Sequence, residues 1–109
     1  MTSQDCQLIL STCPDLEAAE RLASRLVEEG LVACVNIVPQ VRSIYSWRGR
    51  LERTDECLLI MKSAAVRFAA IEARVRALHT YELPELIAVP ISEGLPEYLQ
   101  WVSDTASAS

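Results

Sequence analysis

Apolar residues recur along this chain with two different periods, and the switches between them mark out the elements. Cys6 to Cys13 is apolar at most positions through Leu8-Ile9-Leu10, as suits a central strand covered on both faces. From Leu16 the spacing becomes helical, with Leu16, Ala19, Leu22, Ala23, Leu26 and Val27 on one face. Asp15 stands where an N-cap is needed, Glu17 lies in the first turn, and Gly30 supplies the stop. Val32 to Val38 and Val41 to Trp47 read as one long strand interrupted at Pro39-Gln40. A proline cannot donate to a ladder, so a bulge or kink is expected there. After a turn at Arg48-Gly49-Arg50, Leu51 to Lys62 returns as a second long strand, and the two runs make a hairpin.

Ser63 is in position to cap a second helix ending near Leu78, with Phe68, Ile71, Val75 and Leu78 as its buried stripe. Residues 79–85 form a loop before a short strand, Leu86 to Ile91, and Pro96 opens a last helix to about Val102. The tail 104–109 is small and polar and is expected to fray, leaving a core of about 6–103. The order β-α-β-β-α-β predicts one α+β domain over 1–109. Its form is a ferredoxin-like antiparallel sheet with helices on one face and an extra C-terminal helix.

Length turns this pattern into a problem of cover. A strand of a dozen residues spans roughly 40 Å, whereas a domain of this size has a radius of gyration of only ~13 Å. The hairpin end must therefore project, carrying Ile44, Tyr45 and Trp47 with it, and Tyr98 and Trp101 raise the same difficulty on the last helix. Either the strand folds back at Pro39 or a neighbouring subunit covers the arm. The second reading makes Tyr45, Trp47 and Trp101 interface residues of an oligomer.

Composition narrows the partners. A net charge of −5 and a pI near 4.8 speak against nucleic acid, and no run approaches the ~20 apolar residues of a membrane span. The polar start, Met1 to Gln7, lacks a signal-peptide pattern, and the four cysteines are dispersed without a C-x-x-C pair. Reduced thiols and a cytoplasmic location are expected. Cys13, at a strand end, is expected to alkylate first, and Cys34 and Cys57, on the hairpin, slowly.

Candidate chemistry gathers around His79, the single histidine. Strands 1 and 4 run antiparallel in this topology, so Ser11-Thr12-Cys13 should meet the 79–85 loop. A thiolate from Cys13, the imidazole and a carboxylate from Glu82 or Glu85 would suit Cu or Zn better than Mg or Ca. The plainer reading makes His79 a helix C-terminal cation. No nucleophile–base–orienter set is apparent, and the glycines are isolated at turns, so no catalytic residues are assigned and no enzyme is expected. Glu52 and Glu56 share a strand face and read as solvated.

Several separated motifs carry a family resemblance. Ser11-Thr12-Cys13-Pro14-Asp15, Ala33 to Pro39, Ser43 to Gly49, Glu56 with Leu58 to Lys62, His79 to Leu86, and Tyr98 to Trp101 together resemble the CutA divalent-cation tolerance proteins. The resemblance implies a cytoplasmic, non-enzymatic homotrimer of PII-like architecture, associated with tolerance to copper and other divalent metals. His79 matches a ligand position of that family. Ser11 stands where some members carry a cysteine and Leu78 where some carry a second histidine, and Cys13 lies on the same strand face as Ser11. The ligand set expected for Cu(II) or another divalent transition metal is thus His79, Cys13 and Glu82. The alternative is a PII-like signalling or small-ligand trimer that uses clefts between subunits, with Tyr81, Glu82, Trp47, Arg48 and Arg50 as candidates.

Overall fold

The computed structural model describes residues 5–106. Its elements are β1 (Cys6–Cys13), α1 (Leu16–Glu28), β2 (Cys34–Trp47), β3 (Arg50–Ala64), α2 (Phe68–Leu78), β4 (Ile87–Pro90) and α3 (Pro96–Thr105). The strands form one antiparallel sheet in the order β2-β3-β1-β4. This is the expected ferredoxin-like α+β arrangement.

Alternation along the strands divides the sheet into two unlike faces. Ile9, Cys13, Cys57, Leu59 and Met61 point to one side and pack with Leu22 and Leu26 of α1 and Ile71 and Val75 of α2. Asp15 caps α1, its carboxylate accepting from the Ala18 N–H at 2.8 Å, and the helix stops at Gly30, whose φ of +74° suits a residue without Cβ. A bidentate pair from Arg74 to Glu29, both contacts 2.8 Å, ties α2 to the end of α1. On the other side, α3 covers one end, packing Leu99 and Val102 against Cys6 and Ala33. The rest of that face carries Leu8, Leu10, Leu58 and Ile60, half-buried, with Val38, Ile87 and Val89 exposed. It is an apolar sheet face over which the described residues lay no covering layer.

The long hairpin keeps its pairing across the Pro39 interruption. Val38 pairs with Leu58 and Val41 with Glu56, so Pro39 and Gln40 together oppose Cys57. Gln40 takes a left-handed backbone, φ +62°. This bulge changes the parity of the strand. Val41, Ser43, Tyr45 and Trp47 now share the face of Val38; without it they would point to the helix side. The arm runs straight on, and the molecule measures 45 × 25 × 22 Å. It turns through Arg48 and Gly49, both at positive φ (+53° and +78°), with Trp47 paired directly to Arg50. The turn is therefore one residue tighter than the sequence suggested.

Two helix boundaries differ from expectation. Ser63 does not cap α2: it lies in β3, buried, and its hydroxyl donates to the Leu31 carbonyl at 2.7 Å. A 3-10 turn, Ala65–Arg67, intervenes before α2 starts at Phe68. A buried backbone carbonyl in need of a donor outweighed the serine's capping preference. At the other end, α3 continues through Thr105 and Ala106 is buried against Cys6, so apolar contact holds what composition alone would fray. Residues 107–109 lie outside the described residues. Among the described residues no helix is long and apolar enough to cross a membrane.

Substitutions at two positions check this account by denaturant unfolding. Leu26→Ala, at a fully buried core position, is expected to cost about 2–5 kcal/mol. Gln40→Val is expected to cost ~1–2 kcal/mol because a β-branched residue resists the left-handed backbone, while Gln40→Gly leaves stability unchanged or raised.

Candidate functional site

The antiparallel pairing of β1 with β4 brings the end of β1 to the 79–86 segment, as the topology required. Two side chains fasten them. Ser11 Oγ donates to the Glu85 carbonyl at 2.8 Å, and His79 Nε2 lies 2.7 Å from the Thr12 carbonyl. His79 also ends α2, its own N–H bonding to the Val75 carbonyl at 2.8 Å. The Tyr81 N–H donates to His79 Nδ1 at 3.0 Å, and the two rings lie 4.9 Å apart. A carbonyl can only accept and a backbone amide can only donate, so the ring is the neutral tautomer with its proton on Nε2. Both nitrogens are engaged.

Cys13 is beside this ring, Sγ 3.8 Å from Nε2, but it is 2% exposed. Burial, reinforced by Cys57, Asp15 and Glu56, pushes its thiol up to about 11, so it is a protonated core residue. Glu82 does not join the pair. Its carboxylate takes Arg48 Nη2 at 3.2 Å, out in solvent. Among the described residues no three His, Cys, Asp or Glu side chains are grouped to hold a metal ion. The expected His79–Cys13–Glu82 set is thus not assembled. For a metal to replace the Nε2 proton, that proton would have to move to Nδ1, where it would break the hydrogen bond from the Tyr81 N–H. These residues do not fit a resident divalent metal as they stand.

A cleft that sequence reading only partly anticipated lies on the open face of the sheet. About 810 Å³ of space separates the arm from the 81–87 segment, lined among others by Thr12, Tyr45, Trp47, Glu56, Tyr81 and Glu82. Tyr81 donates its hydroxyl to Glu56 Oε2 at 2.6 Å. Burial first, and Glu56 second, raise the phenol well above its ordinary value, so it remains a donor. Glu56, expected in solvent, is 9% exposed. Its alternation with Cys57 marked it as facing away from the helices; what conceals it is Tyr81, and no spacing rule foretold that.

Tyr45 and Trp47 both line this cleft on the chain's own arm, and Arg48 lies 5.1 Å over the Trp47 ring. Trp101 is 45% exposed and stacks on Tyr98 at 5.5 Å. Arg50 shares the arm face of Trp47.

A ferredoxin-like sheet with one bare apolar face, a bulged arm and a cleft beside it defines a small α+β protein of the split βαβ class. The sequence model of the CutA1 divalent ion tolerance protein family matches residues 7–105, and the chain belongs to that family. It is 46% identical over 98 residues to the divalent-cation tolerance protein CutA of Thermus thermophilus, covering 90% of this chain and 95% of that one. It is also 46% identical over 93 residues to the protein CutA homolog of Xenopus laevis, covering 85% of this chain but only 62% of that relative's length. The crystal structure of CutA from Xylella fastidiosa superposes with a TM-score of 0.91 at 48% identity, covering 94% of this chain and 99% of that one.

All four cysteines carry free thiols, and their environments rank them differently from the sequence expectation. Cys34 is the most exposed and Cys13 is buried. Iodoacetamide followed by mass analysis is expected to label Cys34 first and Cys13 last. The raised Cys13 thiol also gives stability a sign: it favours the folded state fully below pH 9, and that contribution is lost as pH rises through about 11. The melting temperature is expected to fall over that window, and less steeply in Cys13→Ala.

Proposed function

We propose that this protein serves divalent-metal tolerance as a non-enzymatic homotrimer in the cytoplasm, working through ligand sites where its subunits meet. The observation that carries the reading is the bare apolar sheet face. Leu8, Leu10, Leu58 and Ile60 with Val38, Ile87 and Val89 form a continuous patch that another copy of the chain would cover. Tyr45, Trp47 and Trp101, at its two ends, would be covered with it. The role in metal tolerance is supported by the CutA1 divalent ion tolerance family to which the chain belongs, and the number three rests on the family resemblance in the sequence motifs alone. Free thiols at all four cysteines support a reducing compartment.

A second observation favours the cleft as the working site over a His79 metal centre. The cleft opens on the face that assembly would cover, whereas the nitrogens of His79 are both taken by its own chain. The metal response would then run through the trimer and its cleft ligand. Cu(II) remains the metal to test, because the family resemblance points to it.

Sedimentation equilibrium is expected to give three times the 12.1 kDa chain mass. Ile87→Glu, at a position 50% exposed in the single chain, is expected to yield a folded monomer; a monomeric wild type would end the assembly reading. Anaerobic titration of Cu(II) is expected to show weak binding that changes less than about threefold in His79→Ala. Tight binding lost in His79→Ala and weakened in Cys13→Ser would restore the histidine–thiolate centre.

A further inference from the structure

The cleft beside the arm has a charge pattern that folding alone does not require. At its floor Glu56 is 9% exposed, and no ion pair reaches it among the described residues. A buried carboxylate without a cation is destabilising, and one phenol hydrogen bond offsets that only in part. None of the described residues lining the cleft is basic, while Glu82 and Glu85 add two more carboxylates. The walls are aromatic, from Tyr45, Trp47 and Tyr81. Burial and Glu56 hold Tyr81 protonated, so its single hydroxyl proton goes to Glu56 Oε2 and it brings no negative charge of its own to the cleft. At the rim, Arg48 already shows the chemistry in use: its guanidinium lies 5.1 Å over the Trp47 ring and bonds Glu82 at 3.2 Å.

We infer that the cleft takes an organic cation, a guanidinium or alkylammonium group, with its charge on Glu56 and its apolar body between Tyr45 and Trp47. The cation comes either from a small molecule or from Arg50 or Arg53 on the arm of another copy; neither residue is ion-paired among the described residues. This inference rests on the cleft reading of function and adds the class of ligand to it.

Calorimetric titration of the purified full chain with butylguanidinium, and with butylurea as its neutral isostere, tests it. Butylguanidinium is expected to bind at least about tenfold more tightly than butylurea. Glu56→Gln, which keeps an acceptor for Tyr81, is expected to erase that preference without lowering the melting temperature. If the guanidinium comes from another copy, the probe binds only to the Arg50→Gln/Arg53→Gln variant, and Glu56→Gln loosens the assembly in sedimentation. That outcome also supports a cation site. Equal binding of the two probes would overturn the cation inference and leave the cleft reading standing. No binding of either probe, to wild type or to the arginine variant, would overturn both.

Discussion

A single parity change in β2 governs which side chains this protein can use. Two residues, Pro39 and Gln40, oppose one residue of β3, and every side chain beyond them changes face. The strand can thus pack Val35 and Ile37 toward the helices on one side of the bulge and still present Tyr45 and Trp47 to the open face on the other. A regular strand of the same sequence would set those rings on the helix side, beyond the reach of α1 and α2. The backbone cost falls on Gln40, a non-glycine residue in left-handed geometry.

The histidine illustrates how a ligand-like residue can be fully employed by the fold. His79 closes α2, holds β1 through the Thr12 carbonyl and fixes the path of Tyr81 through its amide. Each of these contacts gives a backbone group a partner, two of them in a part-buried setting. Tyr81, so placed, reaches Glu56, and the cleft wall is complete. The chemistry of the imidazole is spent on architecture, and the cleft is what that architecture leaves available.

Most of the fold was legible because it depends on periodicity and punctuation. The β1 pattern, the Asp15 cap, the Gly30 stop and the Pro39 bulge each act over a few neighbouring residues. The failures came where a distant partner decided. Ser63 looked like a cap until the Leu31 carbonyl, far away in sequence, claimed its hydroxyl. Cys13 and His79 were rightly brought together by topology, yet the proton on Nε2 and the burial of the thiol depend on side-chain placement that spacing does not encode. Glu56 read as solvated because nothing local announces the phenol that covers it.

The segment from His79 to Glu85 is fastened to β1 at both ends, by His79 on the Thr12 carbonyl and by Ser11 on the Glu85 carbonyl. Residues of a free loop would have to be ordered each time a ligand arrived, and that ordering would weaken binding. Here it has been met once, at folding. The wall of the cleft that carries Tyr81 therefore behaves as a template of fixed shape. Selectivity at such a site is set by how well a guest matches it, with little left to adaptation of the host.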